Sequence, residues 1–600
     1  MQETQCKPFV LQMESGALPA GPIELRAPLP AGDSPCLVLT PDGQPPLRFP
    51  MQRVEDGWRC TLPLSQGLYF YHLEDQKGNH LAPDGEDWQI TVYDPDFTTP
   101  DWCMGGVMYQ IFPDRFFASG SPKEGVPPDR YRYDSWGGQP AYEQGESGRV
   151  LGNDYFGGDL RGTMQKLDYL AGLGVTCLYL NPIFEAHSNH RYNTADYERI
   201  DPLLGSEEDF TALCDACHAR GMKVILDGVF SHTGSDSRYF NACGRYPGPG
   251  AAQSPDSPYT PWYAFSHYPD DYQAWWGVPT LPEVREEEPS FLEYITGEHG
   301  IARRWLRLGA DGWRLDVADE LPDGFLDALR SAVKAEKPDA VVLGEVWEDA
   351  SNKVSYGGRR RYLLGNQLDS VMNYPWREAV LSFVRGGDAG NLEAAIRQIR
   401  SHYPPPAVHC LMNHLGTHDT ARLITELAGE EANGRPRSWQ STARMDAPSL
   451  SRGRRRVRMA SALQYTLPGI PCLYYGDEIG MEGYGDPFNR APYDWRGGDR
   501  ELREWYRLLG RLRRQCPALK DGEWIPLRFH AGHAVYLRQS GENALLVGVN
   551  RWCDGESVPL PPAFREAVAL VGPVSKDGNL WIDPEGVSLL AVGPWADEWE

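Results

Sequence analysis

Short apolar runs recur through the middle of this 600-residue chain, and amphipathic helical patterns lie between most of them. Strands that alternate with helices form parallel sheets, and eight such strands can close into a barrel. We therefore predict an α/β fold whose central part, residues 103–516, is a (β/α)8 TIM barrel. The predicted strands are VMYQIF (107–112), VTCLYL (175–180), KVILD (223–227), WRLD (313–316), AVVLGE (340–345), LDSVM (368–372), HCLMNHL (409–415) and IPCLYY (470–475).

Polar side chains lie at or just after the ends of these predicted strands. Because the strands of a barrel run parallel, their carboxyl ends meet at one face, which is the catalytic face of barrel enzymes. Three of the acids among them, Asp316, Glu345 and Asp419, stand out, because paired carboxyl groups are what glycosidic bond chemistry requires. The whole set comprises Asn181, Asp227, His232, Asp316, Glu345, Asn373, His418, Asp419, Asp477 and Glu478.

Three regions break the alternation of strands and helices. Residues 1–98 are short strand-like pieces punctuated by Gly and Pro, which predicts an N-terminal β-sandwich. Residues 517–600 predict a second, C-terminal β-sandwich. Residues 233–290 form a long irregular stretch rich in Pro, Gly, Tyr and Trp, and a loop of this length inside a barrel is normally functional. We predict that it is a small subdomain inserted after the third barrel strand, over the catalytic face.

The chain carries a formal net charge of −25, from 83 acidic and 58 basic residues. This charge argues against nucleic acid and anionic membranes as partners, since both require positive protein surface. No run approaches the roughly 18 apolar residues that a membrane span needs, and the chain does not open with a basic stretch followed by an apolar one. We therefore expect a cytoplasmic protein.

Twelve cysteines are scattered along the chain without the spacing of a disulfide framework, which predicts reduced thiols. Cys214 and Cys217 form the single C-x-x-C pair, a spacing that also occurs in metal and redox sites. The pair follows a helical apolar stripe between Ser206, a candidate N-cap, and Gly221, a candidate stop. We predict a core helix rather than a metal or redox site.

Two charged runs have simple interpretations. The basic run RGRRRVRM (452–459) resembles a polyanion site, but it precedes a helical pattern in an acidic protein, so we predict a solvated helix face. The acidic run Glu286–Glu288 is predicted to be a solvated loop.

Nine short motifs lie in order between residues 109 and 481: YQIFPDRF (109–116), YFGGDL (155–160), HRYNTADY (190–197), DGVFSH (227–232), LPEV (281–284), DGWRLDVADE (311–320), GEVWEDA (344–350), GTHDT (416–420) and PCLYYGDEIGM (471–481). In this order they resemble the α-amylase family of glycoside hydrolases, and within it the neopullulanase, cyclomaltodextrinase and maltogenic amylase group. The resemblance implies hydrolysis of α-glucosidic bonds with retention of configuration.

The resemblance assigns catalytic roles to the three acids. Asp316 would be the nucleophile, and Glu345 would be the acid that protonates the leaving oxygen and then the base that activates water. Asp419 would bind sugar hydroxyls at the cleavage site, and its charge would help to keep Glu345 protonated. Arg314 lies two residues before Asp316, so both side chains share one face of a strand. We expect its charge to lower the pKa of Asp316 and hold it ionised.

The same resemblance names further residues around the sugar. His232 and His418 would hydrogen-bond it, Tyr192 would stack on its apolar face, and Asp227 would support the nucleophile from behind. Trp347 follows the catalytic segment and is either a sugar contact or a support. Four aromatic residues of the insertion are either sugar platforms or subdomain core, and the sequence leaves both options open: Trp262, Tyr263, Trp275 and Trp276.

Many relatives hold calcium with an Asn- and Asp-rich loop after the first barrel strand and a later Gly-x-Asp. Here Gly157 and Asp159 remain, but the loop reads ASGSPKEG (118–125), with one carboxylate where several hard oxygen ligands are needed. We therefore expect no tight calcium site and no other cofactor or metal.

Three positions near the predicted cleft depart from the pattern of the group: Asn193 replaces Asp, Arg285 replaces Asn, and Glu348 replaces His. Linkage preference therefore stays open. We expect cleavage of α-1,4 bonds, with α-1,6 bonds as a further option, in maltooligosaccharides, cyclodextrins or pullulan, through a covalent glucosyl-enzyme.

Two alternatives use the same catalytic groups, namely an exo-acting α-glucosidase and a transglycosylase on short α-glucans. A third alternative is a non-catalytic carbohydrate-binding protein, although such proteins usually lose a carboxylate and this chain keeps all three. The expected partner is an α-glucan oligosaccharide, with neither nucleic acid nor membrane, and the resemblance also allows a homodimer.

Overall fold

The computed structural model describes residues 9–30, 34–81, 85–143, 150–573 and 578–599. Its centre is an eight-stranded parallel sheet that closes on itself as a barrel, as predicted. The strands follow the order 6-5-4-3-2-1-8-7, and a parallel bridge between Met372 and Met412 joins the sixth to the seventh. From first to eighth they are Met108–Ile111, Cys177–Leu180, Lys223–Gly228, Gly312–Leu315, Val341–Gly344, Ser370–Val371, Met412–His414 and Ile470–Tyr474.

The register of neighbouring strands decides which side chains meet at the catalytic face. Asp227 at the end of the third strand pairs with Arg314 of the fourth, and Arg314 pairs with Leu343 of the fifth. In a parallel sheet, paired residues point to the same side. The register therefore brings Asp227 and Arg314 together before any loop contributes.

Helices surround the barrel. Glu207–His218 illustrates why they form where they do: Ser206 and Asp209 make a reciprocal capping box, and Cys214 and Cys217 are buried against the barrel. The core-helix prediction for this pair is confirmed. The longer helices are Glu207–His218, Pro289–Thr296, Ile301–Arg307, Asp323–Glu336, Tyr374–Arg385, Ala389–His402, Ala447–Thr466 and Arg500–Gln515, and the shorter ones are Pro113–Phe116, Leu160–Gln165, Leu167–Gly172, Pro405–His409, Leu423–Ala428, Arg437–Thr442 and Pro594–Asp597.

Two groups of β-sheets flank the barrel in the chain. At the N-terminal end, a four-stranded and a five-stranded sheet enclose an apolar core of their own. Their strands are Phe9–Gln12, Gly21–Ala27, Gly57–Leu64 and Gln52–Val54, and Gly16–Pro19, Trp88–Tyr93, Gly67–Glu74, Cys36–Pro41 and Leu47–Pro50. At the C-terminal end lie Glu523–His530, His533–Ser540, Asn543–Asn550, Gly586–Val592 and Val568–Val571, with the pair Glu556–Pro559 and Asn579–Ile582. The predicted domain boundaries stay predictions.

The stretch after the third barrel strand contains only short elements. Two 3-10 turns, Thr260–Trp262 and Trp275–Gly277, flank the small hairpin Phe265–His267 with Asp271–Tyr272. Aromatic residues form most of its core, and Trp262 and Tyr263 are both buried there. For these two residues, the core interpretation is the one that the structure favours.

The two charged runs have different outcomes. The basic run lies on helix Ala447–Thr466, where Arg454 pairs with Asp499 and Arg455 pairs with Glu585, so the helix-face prediction is confirmed. The solvated-loop prediction for Glu286–Glu288 is wrong at its first residue. Glu286 is buried, and burial raises the pKa of its carboxyl to about 9.

Within the described residues, no helix combines the length and the apolar character that crossing a membrane requires. The described cysteines are all free thiols, and burial raises the pKa of Cys217 to about 12. A thiol with such a pKa stays protonated near neutral pH, which does not suit metal or redox chemistry.

Two glycines test how closely the helices Leu167–Gly172 and Arg500–Gln515 pack. A Cβ at Gly510 would lie 2.0 Å from the backbone oxygen of Leu173, whereas a Cβ at Gly172 would meet nothing within 4 Å. Alanine favours helix by about 1 kcal/mol over glycine, but overpacking typically costs about 1–3 kcal/mol. We expect Gly510→Ala to lower the midpoint of thermal unfolding, and the matched Gly172→Ala to leave it unchanged or raise it. Equal effects of the two would contradict this packing.

Candidate active site

The guanidinium of Arg314 lies at the centre of the catalytic face and is fully buried. Its Nη1 donates hydrogen bonds to Asp227 Oδ1 and Asp316 Oδ1, both at 2.8 Å. Its Nη2 lies 2.7 Å from Glu345 Oε2, an ion pair without the alignment of a hydrogen bond. One positive charge on the fourth strand therefore contacts acids at the ends of three adjacent strands.

Asp227 supports this arrangement from the third strand. Its Oδ2 accepts hydrogen bonds from the hydroxyls of Tyr179 at 2.6 Å and Tyr192 at 2.8 Å, while Oδ1 accepts from Arg314. The Tyr192 hydroxyl also accepts a hydrogen bond from Asn181 at 3.0 Å. Because both of its oxygens are engaged by protein groups, Asp227 suits a supporting position rather than contact with substrate.

The charges in this cluster do not balance, since one guanidinium faces the carboxyls of Asp227, Asp316 and Glu345. Burial raises the pKa of Asp316 well above its usual range; Arg314 lowers it, and the charges of Glu345 and Asp227 raise it again. We expected Arg314 to decide the direction, and the contact is present, but burial outweighs it. Closely packed acids titrate as a group. The ionisation of Asp316 is therefore linked to the charges of the groups packed around it.

The backbone directly after Asp316 is strained at Val317, and the N–H of this residue contacts Glu345. Val317 has φ 38° and ψ 59°, a left-handed conformation that a β-branched residue rarely adopts. In this conformation its N–H donates a hydrogen bond to Glu345 Oε2 at 3.0 Å. Such strain, of order 1–3 kcal/mol, persists where surrounding structure enforces it, commonly at active sites. It fixes the position of Glu345 relative to Asp316.

Both ring nitrogens of His232 are engaged by protein groups. Burial lowers the pKa of His232 to about 4, so the ring is neutral near neutral pH. Nε2 lies 3.0 Å from the carbonyl oxygen of Tyr192, which can only accept, so Nε2 carries the proton. Nδ1 lies 3.0 Å from the Ser231 hydroxyl, which donates to it. A sugar hydroxyl would have to share or displace one of these bonds, so the predicted sugar contact stays a prediction.

His418 connects Asp419 to the barrel wall. Its Nδ1 accepts a hydrogen bond from Gln110 Nε2 at 2.9 Å, and its Nε2 lies 3.2 Å from Asp419 Oδ2. Burial lowers the pKa of His418 well below its usual range, so a neutral ring lies beside Asp419. The ring also stacks on Tyr192, with centroids 5.1 Å apart. The side chain of Asp419 is 34% exposed, which makes it more open to solvent than the three acids that contact Arg314.

Aromatic residues extend the catalytic face outward. Trp347, 49% exposed, stacks on Tyr374 with ring centroids 3.9 Å apart. Trp275 lies 5.4 Å from His232, centroid to centroid, and stacks on Trp276, which is 78% exposed. These rings suit contact with sugars, in contrast to the buried Trp262 and Tyr263 nearby.

The structure therefore brings the predicted residues together, but it also adds some that the sequence did not indicate. Arg490 lies in the loop after the eighth strand, where its Nη2 is 3.5 Å from Asp419 Oδ1 and its Nε donates to the carbonyl oxygen of His418 at 3.0 Å. Gln110 is inside the first strand. Glu478, already among the polar residues at the predicted strand ends, accepts hydrogen bonds from the hydroxyls of Tyr109, Tyr169 and Tyr493. A polar residue inside an apolar strand is the one signal that pointed to Gln110.

The residues around Asp159 do not fit calcium. Asp159 Oδ2 accepts a hydrogen bond from the Ser119 hydroxyl at 2.7 Å and forms an ion pair with the ammonium of Lys123. Its Oδ1 caps a helix by accepting from the N–H of Gly162 at 2.6 Å. A lysine supplies the positive charge here, and calcium would need several further oxygen ligands. Among the described residues, one group has metal-type ligands close together, His72, His80 and Asp87, and it lies in the N-terminal sheets.

The three positions that depart from the group pattern lie outside the acid cluster. Asn193 accepts a hydrogen bond from Ser188, Glu348 pairs with Lys353, and Arg285 is exposed. None of them hydrogen-bonds or forms an ion pair with Asp316, Glu345 or Asp419, so we expect any effect on substrate preference to act at outer sugar positions.

The sequence profile described as alpha amylase, catalytic domain, matches residues 110–504. The chain belongs to the α-amylase family. It is 38% identical over 577 residues to an amylopullulanase of Thermoanaerobacter thermohydrosulfuricus, covering 86% of this chain and 38% of that protein. It is 36% identical over 478 residues to a cyclomaltodextrinase of Geobacillus thermopakistaniensis, covering 78% of this chain and 72% of that one.

Solved structures give the same result for the fold. The type III pullulan hydrolase of Thermococcus kodakarensis is similar at a TM-score of 0.70 and 27% identity, covering 95% of this chain and 96% of that one. The chain spans less than half the length of the amylopullulanases that it matches. Membership of the α-amylase family thus rests on the barrel and its motifs together.

Glu345 provides the direct test of acid catalysis in this α-amylase family chain. We expect Glu345→Gln to lower kcat on maltooligosaccharides by about 10²–10⁴-fold, because an amide cannot deliver the proton. The loss should be much smaller for an α-glucoside with a nitrophenol leaving group, which needs little protonation. Circular dichroism would verify that the variant is folded. Equal losses on both substrates would argue against Glu345 as the acid.

The burial of His414 in the seventh barrel strand predicts that the stability of the protein depends on pH. Burial, with a contribution from Arg377, lowers its pKa to about 3 from the usual 6.5. Between these pH values the unfolded chain binds a proton that the folded chain does not. The stabilisation is therefore complete above pH 6.5 and is lost as the pH falls toward 3, with a slope of at most about 1.4 kcal/mol per pH unit.

The variant His414→Gln cannot take up that proton. We expect its free energy of unfolding to fall less steeply than that of the wild type between pH 6.5 and 4, whatever its stability at pH 7. Parallel curves for the two proteins would show that His414 is not kept neutral by the fold.

Proposed function

We propose that this protein is a retaining glycoside hydrolase that cleaves α-glucosidic bonds in α-glucans. The observation that carries the proposal is the contact of Asp316 and Glu345 with the two terminal nitrogens of one buried guanidinium, that of Arg314. Carboxyl groups that contact the same guanidinium support the short separation that retention uses rather than the wider one that leaves room for a water in inversion. In this arrangement Asp316 would act as the nucleophile and Glu345 as the acid.

In the first step, ionised Asp316 attacks the anomeric carbon while Glu345 gives its proton to the departing glycosidic oxygen. The bond to the leaving sugar breaks, and a glucosyl ester to Asp316 forms. In the second step, Glu345 takes a proton from water, whose oxygen attacks the same carbon and releases Asp316. Two inversions give net retention. Arg314 stays charged throughout and stabilises whichever carboxylate is ionised.

Asp419 and its neighbours supply sugar contacts in this proposal. Asp419 is the acid most open to the cleft, and His418 and Arg490 orient its two oxygens. Hydrogen bonds from sugar hydroxyls to a fixed carboxylate can strengthen as the sugar ring distorts toward the transition state. Tyr192, which stacks on His418, and Trp347, which stacks on Tyr374, would offer apolar contacts to the sugar in this proposal.

The substrate class follows from the relatives. Proteins named amylopullulanase, cyclomaltodextrinase and pullulan hydrolase share this barrel, so we infer maltooligosaccharides, cyclodextrins or pullulan as substrates, with α-1,4 bonds cleaved and α-1,6 bonds as a further option. An exo-acting α-glucosidase and a transglycosylase remain alternative outcomes of the same apparatus.

The first experiment is a product time course from maltotriose, β-cyclodextrin and pullulan, with proton NMR of the newly formed anomer. We expect maltose or panose early, cyclodextrin opening, and the α-anomer ahead of mutarotation. A β-anomer would contradict retention. Glucose released singly with cyclodextrin untouched would favour an exo-acting α-glucosidase, and larger products from concentrated maltose would favour transglycosylation. No cleavage of any of these substrates would overturn the proposed function.

A further inference from the structure

Two exposed aromatic residues outside the acid cluster share an unusual backbone. Trp276 has φ 48° and Tyr356 has φ 50°, and each is followed by a glycine at positive φ, Gly277 at 70° and Gly357 at 77°. Tyr356 and Gly357 form the two-residue loop of a hairpin whose strands are Val354–Ser355 and Gly358–Arg359. Two-residue loops with both residues at positive φ favour Asn-Gly.

Folding alone does not account for aromatic residues at these two positions. Left-handed backbone is costly for bulky residues, and Asn or Gly would adopt it more readily. Burial gives no compensation, because Trp276 is 78% exposed and Tyr356 is 77% exposed. Residues that are both strained and exposed to this extent are commonly functional.

A single carboxylate joins the two rings. Trp276 Nε1 donates a hydrogen bond to Glu320 Oε1 at 3.2 Å, and the Tyr356 hydroxyl donates to Glu320 Oε2. Glu320 ends the 3-10 turn Ala318–Glu320, which begins two residues after Asp316. Trp276 is held a second time by Trp275, whose ring stacks on it. The two rings are therefore held at a fixed spacing at the mouth of the catalytic face.

We propose that Trp276 and Tyr356, fixed by Glu320, form an outer binding site for a glucose unit of the α-glucan chain, beyond the bond that is cleaved. Sugars present apolar faces that stack on aromatic rings, and rings held in advance lose little entropy on binding. The proposal rests on the proposed function for its ligand. It adds the residues that would make the binding affinity depend on the length of the glucan chain.

The hairpin that carries Tyr356 is braced by the N-terminal sheets of the same chain. Two-stranded hairpins are marginally stable alone in water, so this one requires an anchor. Arg359, its last strand residue, contacts Asp42 through two nitrogens, Nε to Oδ2 and Nη2 to Oδ1, both at 3.1 Å. Asp42 lies just after the strand Cys36–Pro41. It is therefore a positioning residue, which acts on the glucan through Arg359 and Tyr356.

The first test measures binding of maltoheptaose and maltotriose by calorimetry to the Glu345→Gln protein, so that the ligands are not consumed. Adding Trp276→Asn or Tyr356→Asn should weaken maltoheptaose binding by about 3- to 10-fold, and maltotriose binding by clearly less. Because asparagine suits left-handed backbone, the midpoint of thermal unfolding should stay or rise. The matched control, Trp581→Asn, removes an exposed tryptophan of the C-terminal sheets and should leave both affinities unchanged.

Equal weakening for the two ligands, or none, would overturn the outer site while leaving the proposed function in place, provided that the parent enzyme cleaves α-glucans. Absence of α-glucan binding and cleavage in the parent would overturn both proposals. A fall in the unfolding midpoint of the asparagine variants would show that the rings serve the fold rather than a ligand.

The second test is a double-mutant cycle for the brace. Asp42→Asn removes the charge that holds Arg359 and should weaken maltoheptaose binding two- to fivefold in the Glu345→Gln protein. In the Tyr356→Asn background, the same change should have no further effect, because the ring that it positions is gone. An undiminished effect in that background would show that Asp42 does not act through the hairpin.

Discussion

The buried charge of Arg314 is the constraint on which the rest of this site depends. A buried guanidinium is strongly destabilising unless acids surround it. Burying Asp227, Asp316 and Glu345 is likewise destabilising unless a positive charge lies among them. The barrel supplies the required geometry, since the register sets Asp227 beside Arg314 on adjacent strands. Loss of Arg314 would leave three acids in a dry site without compensation, so catalysis and local folding share one interaction.

The sequence predicted the parts of the site that follow from the barrel alone. Once eight strands alternate with helices, their carboxyl ends must meet, so Asp316 and Glu345 could be placed together without knowledge of any loop. Arg490 could not be placed, because its contact with Asp419 depends on the path of the loop after the eighth strand. The left-handed backbone at Val317 could not be predicted from the sequence either, since it accompanies a hydrogen bond to Glu345 that exists only once the two strands are side by side.

Burial separated residues that look alike in sequence. Glu286 and Glu288 belong to one acidic run, yet Glu286 is buried with a raised pKa and Glu288 caps the helix Pro289–Thr296. The tryptophans of the insertion divide in the same way, with Trp262 in its core and Trp276 exposed. The expectation that Arg314 lowers the pKa of Asp316 was wrong for a related reason. A neighbouring charge can be inferred from sequence spacing, whereas the cost of removing water depends on every element packed around the carboxyl.

Outer sugar positions are built by parts of the chain that the barrel does not determine. The segment after the fifth strand is fastened to the N-terminal sheets at both ends: Gln89, itself buried, bonds to Ser351 at 2.9 Å and Asn352 at 2.8 Å, and Gln66 donates to the carbonyl oxygen of Leu364 at 2.7 Å. A surface ion pair such as Asp42 with Arg359 contributes only about 0–1 kcal/mol alone. Because these hydrogen bonds already hold both ends of the segment, the ion pair between Asp42 and Arg359 has only the hairpin itself to orient. Substitutions in the N-terminal sheets can therefore change the choice of substrate while the acids around Arg314 stay as they are.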